Sequence, residues 1–285
     1  MGDYQFKTLK VAFIAEWVLK VEINRPKVNA MNPLLFNDLY ECFLKVKYDS
    51  LVRSVILISS NPKLFTAGID LKSGIQFPGM DDTKDPARSG LDFIKTVTHL
   101  QDCFSIMADC NKPIIVGING LCIGAGIDLI TACDIRICTT DASFSVKEVD
   151  VGLAADVGTL QRYDILTELS RLPKVVGNQS WVNDICLTAR FFGAKEALTF
   201  GLVSQVYNSR DEMIEKATEL AILIASKPPL AVYGTKHLLN YSRDHTVKDG
   251  LAYTGVWNSV MLNSPDTAIA ATSSLTKSVG TYSKL

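Results

Sequence analysis

Between Gly117 and Gly158 an apolar run is broken by closely spaced glycines and then resumes around carboxylates. The stretch reads GINGLCIGAGIDLITACDIRICTTDASFSVKEVDVGLAADVG, and a turn at Gly120, Gly124 and Gly126 leads into IDLITACD. Strand-like and helical runs follow one another here with only tight turns between them, which leaves the chain few ways to fold. Acids also stand where the pattern calls for hydrophobes, at Asp128, Glu148 and Asp156. A carboxylate in an apolar setting is costly unless it is hydrogen-bonded or protonated, so this is the first place to look for chemistry.

The same alternation runs through the chain. Residues 8–25 alternate as paired strands and end in a turn at Asn24-Arg25-Pro26. Asn32-Pro33 caps a helix with apolar residues at Leu35, Leu39, Phe43 and Val46. SVILISS is a short buried strand, left through a loop containing Gly68. Residues 75–90 are polar and carry both proline and glycine, which predicts a mobile surface loop. A helix is expected over 91–110, then the strand PIIVGING, the helix IDLITACD, and the strands IRICTT and ASFSVKEV. Strand, strand, helix thus recurs about three times, which points to an α/β fold of stacked ββα units rather than a Rossmann sheet. After Ala189 one more helix and strand are expected, and from Arg210 the pattern is helical. The expected organisation is a ββα core over 1–208 and a C-terminal helical region over 209–285, an assembly surface.

Composition narrows the function. A formal net charge of −1 offers no basic footprint for nucleic acid. No apolar run reaches roughly 18 residues, so no membrane span is expected. The seven cysteines form no C-x-x-C pair and several sit in apolar runs, so they read as small buried hydrophobes. With only three histidines, no metal site is expected either. The last residues, Ser283-Lys284-Leu285, match the tripeptide address for peroxisomes, which makes an import receptor an expected partner.

Two turns, Ala67-Gly68-Ile69 and Gly124-Ala125-Gly126, each follow an apolar strand, and the second opens a helix. Backbone N–H groups from two such turns make an oxyanion hole if they converge, although glycines at these junctions also have purely structural uses. Asp128 in a first helical turn either serves chemistry or stabilises the helix dipole. Glu148 ends a strand, where an acid is commonly just solvated. Asp156 inside LAADVG is the sharpest case: its apolar setting should hold it protonated, the alternative being an N-cap for VGTLQR. Asp150 shares the neighbourhood of Glu148. Asp134 and Arg136 read as a structural charge pair, and His99, His237 and His245 as surface or packing residues.

The segments NRPKVNAMN, LFTAGIDL, KPIIVGINGLCIGAGIDLITACDIRICTTDASFSVKEVDVGL and AKEALTFGLVSQV resemble the enoyl-CoA hydratase/isomerase (crotonase) superfamily over nearly the whole chain. Within it, VKEVDVGLAADVGTLQR resembles the Δ3,5-Δ2,4-dienoyl-CoA isomerases. The resemblance implies a crotonase-type spiral of ββα units with a C-terminal helical region, assembled as a homotrimer or hexamer. It implies an acyl-CoA thioester substrate whose carbonyl is held by the backbone N–H groups of Ile69 and Ala125. Ala125 stands where many relatives have glycine, but the donor is the main chain. It implies Glu148 as the base at C2, Asp156 as the acid at C6 and Asp128 as the group that tunes them, in peroxisomal fatty-acid β-oxidation. No cofactor is implied, CoA being part of the substrate.

Arg25, Lys27, Ala67 and Lys72 lie in segments that approach the nucleotide or acyl group in relatives, and Lys236 would reach a neighbouring subunit's site. The chain departs from the family pattern at YDILTELSR (163–171), which intervenes before LPKVVGN and reads as an inserted helical extension close behind Asp156. An enoyl-CoA hydratase or a Δ3-Δ2-enoyl-CoA isomerase is the alternative among enzymes. A hydratase holds one water between acids at the positions of Asp128 and Glu148 and does not need Asp156. A non-catalytic acyl-CoA-binding subunit is the alternative of another class, and intact acids and turns speak against it.

Overall fold

The structure is a computed structural model and describes residues 4–72, 85–157, 159 and 171–285. Its elements alternate as the sequence pattern requires. The hairpin β1 (Leu9–Ala15) and β2 (Val18–Ile23) leads to α1 (Pro33–Tyr48), then β3 (Ser54–Ser59), β4 (Leu64–Thr66) and α2 (Pro86–Asp109). The next turn is β5 (Ile114–Ile118), β6 (Leu121–Ile123) and α3 (Ala125–Thr131). After it come β7 (Ile135–Thr139), β8 (Ser143–Ser145), a 3₁₀ turn over Glu148–Val151, α4 (Leu172–Val176) and α5 (Gln179–Thr188). The chain closes with β9 (Phe192–Gly193), α6 (Ala194–Thr199), β10 (Gln205–Tyr207) and the helices α7 (Arg210–Ala225), α8 (Pro229–Ser242), α9 (Val247–Met261) and α10 (Pro265–Thr276).

After the β1–β2 hairpin, which lies wholly in the larger sheet, the successive strand pairs β3/β4, β5/β6 and β7/β8 each give one strand to each of two sheets. The larger has the order β1-β2-β3-β5-β7-β10, parallel except for the β1–β2 hairpin. The smaller has the order β4-β6-β8-β9, with β4, β6 and β8 parallel. Strands buried on both faces read as unbroken apolar runs, and SVILIS is one. Because side chains alternate, Val55 and Leu57 join the main core with Val116 and Ile118. Ile56, Ile58 and Ile115 point the other way, onto α7. That helix meets the sheet with Met213, Ala217, Ala221 and Ala225, one residue per turn and mostly methyl-sized, which lets its backbone lie close. The helical region expected from 209 therefore begins with a helix whose apolar face belongs to the core.

Two boundaries and one pairing differ from the sequence reading. Helix α2 starts at Pro86, because the Asp85 carboxylate accepts from the N–H groups of Ala87 and Arg88 at 3.1 Å and proline occupies the first turn. That shortens the expected loop at 75–90, whose residues up to 84 lie outside the described ones. The strand expected through Val149 stops at Ser145, and Glu148 opens a 3₁₀ turn closed by Gly152 in the left-handed region. Asp134 and Arg136 do not bond to each other. Asp134 accepts from Lys236 on α8 and the Ile114 N–H at the start of β5, while Arg136 donates to the carbonyls of Leu202 and Cys133, because folding brings each of them a partner other than the other. All seven cysteines are buried and unbridged, as their apolar contexts predict.

Candidate active site

Parallel pairing of β4 with β6 brings the two glycine turns side by side, since residues 64 and 66 lie opposite 121 and 122. Gly68 has φ +80°, and a Cβ there would stand 2.7 Å from the Ile123 carbonyl oxygen and 3.7 Å from the Gly124 Cα. Only glycine allows the turns to approach so closely. Met31 fixes the first turn by donating to the Gly68 carbonyl at 2.7 Å and accepting from the Asp70 N–H at 2.9 Å. Alternation of peptide directions then aims the N–H of Ile69 away from Met31. In the second turn the Gly124 N–H donates to the Ser145 carbonyl at 2.9 Å, holding Gly124 at φ +53°. Ala125 is the first residue of α3, so its N–H has no carbonyl one turn back. Among the described residues neither the Ile69 nor the Ala125 N–H has an acceptor.

The acids gather around this pair of turns. Asp128, one turn into α3, is 1% exposed and accepts a 2.5 Å hydrogen bond from the Thr159 hydroxyl. Burial pushes its carboxyl up to about 6; Thr159 and the charge of Arg171 pull the other way. Glu148 is half-buried, and its Oε1 lies 3.3 Å from where a Cβ on Gly124 would stand. Its Oε2 is buried without a hydrogen-bond partner among the described residues. Burial, then the negative charge of Asp128, pushes the Glu148 carboxyl up to about 7. Asp156 is half-buried, burial raises its pKa, and its main-chain carbonyl accepts from the Gln101 side chain on α2 at 2.6 Å. Its charge also acts on both other acids. Whether Asp156 caps a helix over VGTLQR, and how YDILTELSR runs, fall on residues 158 and 160–170, outside the described ones.

The remaining expected residues separate. Arg25 pairs with Asp70 at 2.6 Å and donates to the Ala30 carbonyl at 2.6 Å, so it clamps the 25–31 loop to the Ile69 turn. The Ala67 N–H donates to the Val28 carbonyl at 3.1 Å, beside that turn. Lys27 and Lys72 are exposed at its outer edge. Lys236 is not brought to the cluster: it is buried, and its ammonium donates to the Met107 and Lys112 carbonyls and the Asp134 carboxylate at 2.8–3.1 Å. A lysine with its donors so occupied is an internal tie between α8 and the strand entries. Three site residues escaped the sequence reading. Thr159 had a signal, a hydroxyl close behind a buried acid. Arg171 and Cys186 had none, because only folding sets them against Asp128.

Two parallel sheets wound from ββα units, with paired backbone donors and buried acids at the ends of the short strands, define the acyl-thioester enzymes of the spiral fold. The chain belongs to the enoyl-CoA hydratase/isomerase family, whose profile matches residues 14–254. It is 47% identical over 268 residues to Delta(3,5)-Delta(2,4)-dienoyl-CoA isomerase, mitochondrial, of Homo sapiens, covering 93% of this chain and 78% of that one. It is 39% identical over 270 residues to the peroxisomal protein of that name from Arabidopsis thaliana, covering 94% and 93%. Among solved structures, enoyl-CoA hydratase from Bacillus anthracis superposes with a TM-score of 0.84 at 25% identity, covering 97% of this chain and 99% of that one.

Proposed function

We propose that the chain is a Δ3,5-Δ2,4-dienoyl-CoA isomerase. The observation that carries this reading is Glu148, whose buried Oε2 has no hydrogen-bond partner among the described residues and whose Oε1 stands against the Gly124 turn, with two further acids, Asp128 and Asp156, close enough to influence it. The thioester oxygen accepts from Ile69 and Ala125. Glu148, beside the Gly124 turn, removes a proton from C2, and the negative charge spreads into a dienolate stabilised at the oxygen by those two donors. Asp156, whose carboxyl burial pushes above the usual carboxylate range, returns a proton at C6. C2 and C6 are too far apart for one carboxylate to serve both, which is why a second acid is needed. Asp128, bonded to Thr159, sets the charge that Glu148 feels. The reaction is a net proton relocation, so no cofactor is required beyond the CoA carried by the substrate. A hydratase would hold water between Asp128 and Glu148 and leave Asp156 idle.

The helical region is the proposed trimer- or hexamer-forming surface, and exposed apolar side chains on it, among them Leu251, Val256 and Val260, support that reading. Ser283-Lys284-Leu285 supports import into peroxisomes through a receptor; the human relative is named mitochondrial and the Arabidopsis one peroxisomal.

The test is isomerisation of a 3,5-dienoyl-CoA, followed by the absorbance of the conjugated 2,4-product. Wild type forms that product, and Asp156→Asn loses on the order of 10²–10⁴-fold in kcat while still binding substrate. Hydration of a 2-enoyl-CoA by wild type, without isomerisation, would overturn the reading.

A further inference from the structure

Among the described residues, the main chain of Asp156 makes no hydrogen bond to another backbone group. Ala155 and Val157 on either side of it are buried. Apolar burial is non-directional, so it draws the loop inward without setting where the carboxyl stands. The directional tie comes from α2, where the Gln101 Nε2 donates to the Asp156 carbonyl at 2.6 Å. A carbonyl only accepts, so the amide nitrogen has to face it.

Helix α2 is built to hold Gln101 steady. Leu100, Cys103, Phe104 and Met107 are buried, and the Phe104 ring packs on that of Phe36 with centroids 5.4 Å apart, which fixes the rotation of the helix against α1. Gln101 and Ser105, one turn apart, share the face beside that apolar stripe. The Ser105 hydroxyl donates back to the Gln101 carbonyl at 2.9 Å. With its one proton placed there, the hydroxyl accepts from the Arg171 Nη2 at 3.0 Å. Arg171 is 5% exposed, and its Nε and Nη1 are buried with no hydrogen-bond partner, so Ser105 anchors the guanidinium. Burial lowers the pKa of Arg171, and the charge of Asp128 is the largest influence the other way. One face of α2 thus holds Asp156 through Gln101 and, through Ser105, the cation whose charge acts on Asp128. The two bonds join residues 55 and 66 positions apart, so folding alone sets these parts of the acid cluster against each other.

We propose that Gln101 is a positioning residue for proton delivery at C6, with Ser105 and Arg171 keeping its helix face in register with the acids. This rests on the isomerase reading above. Gln101 acts through the Asp156 peptide rather than on substrate, and sets where that carboxyl stands relative to the dienolate. Proton transfer weakens steeply when donor and acceptor are misplaced. Removal of the C2 proton uses Glu148 and the two turns, none of which Gln101 bonds. Loss of Gln101 therefore separates the two halves of the reaction.

The experiment follows both halves on the full chain in heavy water with a 3,5-dienoyl-CoA. Formation of the conjugated 2,4-product reports delivery at C6. Deuterium gained at C2 of recovered substrate, read by mass spectrometry, reports Glu148, which takes the C2 proton, exchanges it with solvent and returns a deuteron. Gln101→Leu, close in size and lacking the donor, lowers kcat for isomerisation on the order of 10- to 100-fold at nearly unchanged KM. Its C2 exchange stays at or above the wild-type rate, because a dienolate that is not protonated at C6 returns to substrate. Ser105→Ala, which leaves the Gln101 amide in place, gives a smaller split of the same kind. If isomerisation and C2 exchange fall together in both variants, the role is merely structural and the proposal is overturned. Isomerisation by Gln101→Leu at the wild-type rate overturns it too, and the isomerase reading survives either result. Wild type that forms no 2,4-product overturns both.

Discussion

Asp128 and Glu148 both hold their protons more tightly than ordinary carboxyls, chiefly because burial penalises the charged form. That has consequences for rate and for stability. In the proposed mechanism Glu148 is the base and must be ionised, so kcat/KM rises with pH through about 7. In that mechanism Asp156 gives up a proton, so activity falls as pH rises through its own pKa, which burial raises. A bell-shaped profile measured on a 3,5-dienoyl-CoA, with its acid limb lost in the residual activity of Glu148→Gln, is the expected outcome. For stability the sign runs the other way. The folded state binds more protons than the unfolded one between the unfolded pKa values and about 6 to 7, so stability is fully present at low pH and falls as pH rises through that window. Asp128→Asn, which keeps a partner for Thr159, should match wild type in thermal stability at pH 4 and exceed it at pH 8. The acids were legible as residues from their apolar neighbours. Their mutual influence was not, because Asp128, Glu148 and Asp156 belong to a helix, a 3₁₀ turn and a loop that only folding brings together.

Among the elements, the two glycine turns and α7 carry the most exacting packing. A methyl group at Gly68 would stand 2.7 Å from the Ile123 carbonyl oxygen, at a φ of +80° that disfavours side chains. Gly68→Ala should therefore lower stability by about 1–3 kcal/mol. By moving the Ile69 N–H it should also reduce kcat by on the order of 10²-fold, the loss typical of one misplaced oxyanion donor. Circular dichroism melts and steady-state kinetics check the two effects separately. On α7, Ala221 is fully buried against β3, where the Ser54 hydroxyl donates to its carbonyl at 2.9 Å. Ala221→Leu would push the helix off the sheet and cost about 1–3 kcal/mol by overpacking, read as a lower urea midpoint at unchanged slope. The glycine turns were visible in sequence as breaks in apolar runs. The alanine stripe on α7 was not singled out, because a helical pattern alone does not say which neighbour its small face meets.

For the whole molecule, the helices after α7 are bound more loosely to the core than the spiral is to itself. Val247, Leu251, Val256 and Val260 on α9, and Leu275 on α10, are largely exposed. On the proposed assembly through these helices, paired substitution of Leu251 and Val256 by Asp should shift the particle toward monomer in light scattering while leaving the far-ultraviolet spectrum intact. The sequence by itself determined the alternation of two strands and a helix, the two turns, the buried cysteines and the carboxylates out of place, because periodicity, glycine and charge act locally and survive in a one-dimensional pattern. Only the tertiary structure decided that Lys236 is an internal tie, that Arg136 serves carbonyls rather than Asp134, that Asp128 is buried with Thr159 and Arg171 opposing the effect of that burial, and that Leu285 returns to the strand entries beside Arg53 and Lys112. Each of these is a contact between residues far apart in sequence. Which charged group meets which is decided by the geometry of packed sheets and the cost of leaving a buried charge alone, and no local pattern records either.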